Sequence, residues 1–323
     1  MFSTEVLAID APQVARDIEE AIRRQVQAFR RRGAVLGVSG GIDSAVTATL
    51  CARALGKERV LALFLPERDS SDDSENFGRK LTTALGIEAM TENIAGILAA
   101  AGCYDRQIEA IRKVFPEYGD GYKNKIVLPS ILKSDRLNVS ELTIETPTGE
   151  QKTARLPLES YLQLVAATNF KQRVRKMMEY YHADRLNYAV AGTPNRLEYD
   201  QGFFVKQGDG AADFKPIAHL YKTQVYALAH ALGLPEEIRR RPPTTDTYSM
   251  PQTQEEFYFA LPYDRMDLCL YAVNHGVAAA DVAPAVGLQP AQVERVFKDI
   301  ESKRRTTHYL HLPPVLIEKV VEI

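Results

Sequence analysis

Ser39-Gly40-Gly41-Ile42-Asp43-Ser44 follows the apolar run Ala34-Val35-Leu36-Gly37-Val38 and precedes a helix-like stretch at 45–55. A buried strand that feeds a glycine turn and then a helix leaves the first amides of that helix without internal partners. Those amides and the positive end of the helix dipole attract anions. Gly40 and Gly41 let the main chain wrap a phosphate with no Cβ in the way. Ser39 and Ser44 add hydroxyl donors, and Asp43 adds a carboxylate able to hold magnesium against phosphate oxygens. The plainer alternative is a turn in which Ser39 or Asp43 only caps the helix. The order of strand, motif and helix favours the phosphate reading. The G-x-x-x-x-G-K-S/T spacing is absent, so no lysine stands here to steady a leaving γ-phosphate.

A second set of useful residues lies in the other half of the chain. Gly192-Thr193-Pro194-Asn195-Arg196-Leu197-Glu198 follows residues 187–191, which read as a strand. Loops at the carboxyl ends of parallel strands are where open α/β sheets bind ligands. Thr193 is placed to donate to adenine or ribose, and Glu198 to share a magnesium ion with Asp43. Next comes Gly202-Phe203-Phe204-Val205-Lys206-Gln207-Gly208-Asp209-Gly210-Ala211-Ala212-Asp213. Two aromatics, a lysine and two aspartates suit a nucleotide pocket, in which rings stack and carboxylates take sugar hydroxyls. A loop around a buried Phe pair fits the same stretch equally well. The six histidines show no metal-ligand spacing and read as structural or surface residues.

The elements that must position these residues follow from periodicity. Residues 12–32 are amphipathic, with Val14, Ile18, Ile22, Val26 and Phe29 on one side. Arg30-Arg31-Arg32 and then Gly33 read as the helix end, with glycine in the left-handed cap. Strands expected at 34–38, 60–65 and 87–90 alternate with helices at 45–55, 74–85 and from 94 onward. Such alternation argues for a parallel sheet covered on both faces. The rhythm breaks after Phe115. Residues 116–158 are rich in Gly, Pro and charge, and Glu141–Glu145 followed by Pro147-Thr148-Gly149-Glu150 reads as a small β-hairpin, an insertion suited to a lid or a dimer contact. Further helices are expected at 161–185, 222–232, 254–259, 265–275 and 290–304.

Bulk properties narrow the function. The 323 residues are 45% hydrophobic and 25% charged, as in a soluble protein with a sizeable core. Lys plus Arg (40) against Asp plus Glu (42) gives −2, so no excess positive charge advertises nucleic-acid binding. Cys51, Cys103 and Cys269 are scattered and read as buried reduced thiols of a cytoplasmic protein. Glu5, Asp10, Asp17, Glu19 and Glu20 do not suit a signal peptide, and no apolar run approaches membrane-spanning length.

The glycine loop resembles the SGGxDS pyrophosphate loop of the ATP pyrophosphatases, which cleave ATP between its α- and β-phosphates. The joint order of motifs is similar to one group among them, the ammonia-dependent NAD synthetases. Their pattern is a strand ending in Gly-Thr, a glutamate five residues on, an aromatic-lysine-x-Gly-Asp-Gly-x-x-Asp run, then Leu-x-Lys-Thr and Pro-Thr. This chain reads Gly192-Thr193, Glu198, Phe204-Val205-Lys206-Gln207-Gly208-Asp209-Gly210, Asp213, Leu220-Tyr221-Lys222-Thr223 and Pro243-Thr244. Asn169-Phe170-Lys171-Gln172-Arg173-Val174-Arg175 matches the family's Asn-x-x-Ala-Arg-x-Arg helix start. The likeness runs over about residues 15–115 and 165–305.

The resemblance implies a Rossmann-like, doubly wound parallel sheet of the adenine nucleotide alpha-hydrolase type, with a helical C-terminal part, as a single domain over 1–323 with an insertion at 116–158. It implies a ligase that uses ATP as co-substrate with Mg2+ to amidate nicotinate adenine dinucleotide (deamido-NAD) through an acyl-adenylate, giving NAD, AMP and pyrophosphate. Gly37, Val38, Ser39, Gly40, Gly41, Ile42, Asp43 and Ser44 would hold the ATP phosphates, and Asp43 and Glu198 the metal. Thr193, Lys222 and Thr244 would contact ATP or the departing pyrophosphate, with Lys222, Asp43 and Thr244 catalytic. Asn169, Arg173, Phe203 or Phe204, Lys206, Asp209, Asp213 and Lys303 would receive the dinucleotide. On spacing alone, Lys222 also fits a surface helix position. A homodimer is implied, with nitrogen arriving as free ammonia or from a separate donor protein, since no nitrilase-like region precedes residue 30.

Departures concentrate on the acceptor side. Gln172-Arg173-Val174-Arg175-Lys176 stands for Ala-Arg-x-Arg-Met, Val205 for a threonine, Gln207 for a tyrosine, and Ser302-Lys303-Arg304 for His-Lys-Arg. Thr245-Asp246-Thr247 replaces the family's small and apolar residues after Pro-Thr, and the histidine contact is absent or supplied by His308. A different carboxylate acceptor is therefore the alternative reading. A tRNA-modifying adenylating enzyme is a more distant one, opposed by the near-neutral charge and the lack of a Cys-x-x-Cys pair.

Overall fold

The computed structural model describes residues 2–127, 140–243, 248–259 and 261–321. Among these described residues four parallel strands form the main sheet: β1 (Ala34–Gly37), β2 (Val60–Phe64), β3 (Glu88–Thr91) and, last in the chain, Ala189–Val190. Between β3 and that last strand come β4 (Lys123–Val127), β5 (Glu141–Glu145) and β6 (Gln151–Arg155), so Ala189–Val190 is β7. The sheet order is β3-β2-β1-β7. The chain winds outward from β1 to β3 and then returns to the other side of β1. The gap between the ends of β1 and β7 is therefore a topological switch point, where loops diverge and leave a crevice.

Alternation along the strands sorts the core into two layers. Ala34, Leu36 and Val38 face the helices Ala11–Ala28, Ile42–Leu55 and Lys222–Ala231. Val35, Leu61, Leu63 and Val190 face the 29-residue helix Leu158–Leu186. Both faces are covered, which is why these strands read as unbroken apolar runs. A separate apolar cluster, with Leu268, Val282, Val293 and Ile300, holds the C-terminal helices together.

The first helix ends sooner than its arginines suggest. It stops at Ala28, and Arg30 rather than Gly33 takes the left-handed conformation (φ 55°). Gly33 is needed for space instead, because a Cβ there would run into the Arg59 carbonyl and the Tyr188 ring. The insertion is larger than a hairpin: β4 joins β5 and β6 in an antiparallel sheet. Ile126, Leu142 and Ile144 on its inner face pack against Ile111, Phe115 and Leu164. Short helices at Arg196–Gln201, Glu236–Arg240 and Ala279–Val286 add to those expected, and the last helix runs on to His311. The three cysteines are free and buried, and burial pushes the Cys51 and Cys269 thiols up to about 12. No described helix is long and apolar enough to cross a membrane.

Candidate active site

The loop after β1 is built to expose amides. Gly40 adopts φ +71°, and a Cβ there would strike the Ser74 carbonyl. The helix Ile42–Leu55 starts at Gly41 with no side chain capping it, so its first amides stay available to a ligand. Neither Ser39 nor Asp43 acts as a cap. The Ser44 hydroxyl instead donates to the Gly41 carbonyl at 3.0 Å and accepts from the Ser39 amide at 3.3 Å, fixing the turn. Arg241 reaches across, donating to the Ser39 carbonyl at 3.3 Å and to the Ser74 hydroxyl at 2.9 Å.

The loop after β7 comes to the same place. Asn195 and Glu198 form a capping box at the start of Arg196–Gln201, each side chain accepting from the other's amide at 3.1 Å. The Asn195 amide group then donates to Asp43 Oδ1 at 3.1 Å. Lys222, the first residue of Lys222–Ala231 and 2 % exposed, donates to Asp43 Oδ2. Its surface-residue reading is thereby excluded. Burial pulls the Lys222 ammonium down, but Asp43 and Glu198 outweigh it and hold it above its usual value. Gln254 donates to the other oxygen of Glu198 at 3.0 Å.

Burial, followed by repulsion from Asp43, pushes the Glu198 carboxyl up to about 7. Such a group gains from a cation. Among the described residues no cluster of three or more His, Cys, Asp or Glu forms a protein cage. A two-carboxylate site completed by phosphate oxygens and water is what Mg2+ commonly uses, so Asp43 and Glu198 fit that ion.

These loops open on a cavity of about 1050 Å³. Gly37, Val38, Ser39, Gly41, Ile42, Asp43, Ser44, Thr193, Glu198 and Lys222 form one part of its wall; Gly40 shapes the turn behind them. Asn169, Arg173, Phe203, Phe204, Lys206, Asp209 and Lys303 form another. The volume suits a ligand pair rather than a single small metabolite. Thr244 lies outside the described residues.

The glycine-rich stretch is a closed turn. Asp209 accepts from the Val205 amide at 2.7 Å, Gly208 donates to the Val205 carbonyl at 2.9 Å, and Phe204 packs onto Gly210. Arg173 donates to the Lys206 carbonyl at 3.2 Å. The Lys206 ammonium is held by the Tyr309 and Leu312 carbonyls at 2.8 and 3.0 Å. Lys303 donates to the Tyr258 carbonyl at 2.6 Å, and burial lowers its pKa despite Asp299 beside it. Phe203 joins an aromatic cluster, stacking on Tyr258 at 4.6 Å between ring centres. Phe204 meets Tyr199 and His311 at 5.8 and 5.1 Å. The histidine near the acceptor wall is thus His311, while His308 is exposed.

Asp213 is not on the cavity wall. Its carboxylate accepts the Val190 amide at 2.7 Å and the Tyr180 hydroxyl at 3.4 Å, which ties the loop to β7. Four participants were not singled out from the sequence: Asn195, Arg241, Gln254 and Asp267. The capping-box spacing Asn195-x-x-Glu198 was a usable signal for the first. The others act through tertiary contacts that no local pattern encodes. Asp267, fully buried, accepts the Thr223 amide at 2.7 Å and so caps the helix that begins with Lys222.

The model of the NAD synthase family matches residues 14–115 and 131–313. An NH(3)-dependent NAD(+) synthetase of Mesorhizobium japonicum is 60% identical over 318 residues, covering 98% of this chain and 100% of that protein. One from Rhizobium meliloti is 57% identical, covering 100% and 97%. A solved NH3-dependent NAD synthetase from Campylobacter jejuni superposes with a TM-score of 0.62 at 25% identity, covering 96% of this chain and 100% of that one. With a family model spanning most of its length and relatives identical at more than half of their positions, the chain belongs to the NAD synthase family.

Proposed function

We propose that ATP lies along residues 37–44 and that the carboxyl group of the dinucleotide meets its α-phosphate inside the same cavity. The activity is ATP-dependent amidation of deamido-NAD by ammonia, a carbon–nitrogen ligation. A carboxylate resists ammonia because oxide is a poor leaving group. Attack of its oxygen on the α-phosphorus expels pyrophosphate and leaves AMP on the acyl carbon. Ammonia then adds to that carbon, AMP departs with the oxygen, and loss of a proton yields the amide.

The protein's part is positioning and charge. Amides of the uncapped helix start and the Ser39 hydroxyl receive phosphate oxygens, while Ser44, its proton committed to the Gly41 carbonyl, keeps the loop in shape around them. Lys222 offsets the negative charge that builds on the leaving pyrophosphate, with Asp43 fixing its ammonium. Asp43 and Glu198 would hold Mg2+, which supplies further positive charge to the phosphates. Thr193 and Thr244 are assigned to ATP. Asn169, Arg173, Phe204, Lys206, Asp209 and Lys303 are assigned to the dinucleotide, on the wall that departs most from the family pattern. The contact between Lys222 and Asp43 is the observation that supports this reading, because it joins the loop after β1 to the start of Lys222–Ala231 beside the switch point.

The chain works as one domain that we place in the cytoplasm, where its buried thiols stay reduced. Self-association is supported by two pairs of exposed apolar residues on the longest described helix, Leu158 with Leu162 and Met177 with Tyr181, each pair four residues apart. Incubation with ATP, magnesium, ammonium and deamido-NAD should yield NAD, AMP and pyrophosphate in equal amounts. ADP and inorganic phosphate would overturn the reading.

A further inference from the structure

Lys176 and Glu179 form an ion pair on the cavity wall that no step above uses. Both project from the helix Leu158–Leu186 and are only 5% and 6% exposed. Lys176 Nζ donates to Glu179 Oε2 at 2.6 Å. Among the described residues, Oε1 accepts no hydrogen bond. It lies 3.1 Å from where a Cβ on Gly37 would stand. Gly37 opens the phosphate loop and points toward this helix, since Val35, two residues earlier, already packs on that layer. The missing side chain leaves the carboxylate facing the mouth of the loop.

The pair is electrostatically costly. Burial raises the Glu179 carboxyl even with Lys176 beside it. Replacing such pairs with apolar residues of similar size is often neutral or stabilising, so folding alone does not call for it. Gly37 of the phosphate loop and Asp209 of the acceptor loop line the same cavity as the pair, so its charges face both.

A carboxylate offers only acceptors, so its ligand must bring donors. Phosphates seated on the open amides of Ile42 and Asp43 leave the sugar as the next group along the nucleotide, toward the Gly37 end of the loop. We propose that Glu179 recognises the ribose hydroxyls of ATP and that Lys176 aims its carboxylate at them. This rests on the placement of ATP given above.

The test compares kcat/KM for ATP, 2′-deoxy-ATP and 3′-deoxy-ATP, read as pyrophosphate release with deamido-NAD and ammonium. Wild type should reject at least one deoxy nucleotide by about 10- to 100-fold, the worth of a hydrogen bond to a charged group. The double variant K176M/E179L removes both charges together and avoids stranding a buried ammonium. It should fall to the deoxy level with ATP, so that the ratio comes within about threefold of one. Glu179→Gln, which keeps the shape, should shrink the ratio in the same direction. A purely structural role would lower all three nucleotides alike and leave the ratio at its wild-type value, which overturns the proposal. So does a wild type indifferent to both sugars, or a variant that instead stops discriminating against a triphosphate lacking the 6-amino group. Wild-type turnover with ATP checks the underlying reaction separately from these ratios.

Discussion

Lys222 and Asp43 stand 179 residues apart in the chain and touch, with Asn195 on the second oxygen of the same carboxylate. A buried ammonium, its carboxylate anchor and a capping residue are thereby brought together from three separate segments. Lys222→Met should cut kcat by about 10²- to 10³-fold, the scale of losing one transition-state donor. The expectation is checked by quantifying pyrophosphate in the presence of saturating substrates. A kcat within twofold of wild type would remove Lys222 from the reaction.

Gly40 and Gly41 should respond very differently to alanine. At Gly40 (φ +71°) a methyl group meets the Ser74 carbonyl, Arg241 Nη1 at 2.9 Å and Phe77 Cβ at 3.0 Å. At Gly41 it meets only the Ser39 hydroxyl, at 3.3 Å. G40A is expected to cost about 1–3 kcal/mol of stability and most of the ATP affinity, whereas G41A should unfold close to wild type. Paired thermal melts and ATP titrations would show it, and equal effects at both sites would count against the turn geometry.

For Asp213 the structure argues a supporting role. Asp213→Ala removes the acceptor of the Val190 amide and should cost about 1–3 kcal/mol. Denaturant unfolding gives that figure. A raised KM for deamido-NAD with undiminished stability would instead return Asp213 to the substrate.

Arg173→Ala tests the division of the cavity. It should raise KM for the dinucleotide at least about tenfold and leave KM for ATP nearly unchanged, as expected for loss of a charged contact. Steady-state kinetics with each substrate varied in turn decide this, and the opposite pattern would exchange the two ligands' positions.

Burial raises the Asp267 carboxyl from 3.8 to about 6, outweighing the amide bonds it accepts at the start of Lys222–Ala231. A raised acid binds its proton more tightly when folded. Its contribution is therefore full below about pH 4 and is lost as pH rises through 6, a change of about 3 kcal/mol. Stability of wild type minus that of D267N should fall across this window and then level off. Chemical unfolding of both proteins at several pH values is the measurement; parallel curves would mean that Asp267 does not titrate there.

Much of this arrangement could be read from residues in line. The runs at 34–38 and 60–65 named β1 and β2 because a strand buried on both faces has no polar alternation to obscure it. The glycine loop carried its own signal, since amides at a helix start need no distant partner. Other features depended on neighbours absent from the local pattern. Arg30 took the left-handed cap because Gly33 was required where Arg59 and Tyr188 leave no space for a Cβ. Ala279–Val286 hid behind Pro284, which falls inside the helix. Lys176 and Glu179 look like solvated helix charges until the helix is laid along β1. Asp213 matched a motif by position, yet its carboxylate is occupied by the main chain.

The antiparallel sheet has one more contact, on its β4 edge. The Asn124 amide donates to the Ser249 hydroxyl at 2.9 Å, Met250 donates back to the Asn124 carbonyl at 3.1 Å, and Gln252 donates to the Ile126 carbonyl. Two residues farther on, Gln254 grips Glu198. β4 is thus sewn into the rim of the cavity, and excising residues 116–158 would unpick the seam that keeps Gln254 in reach of that glutamate.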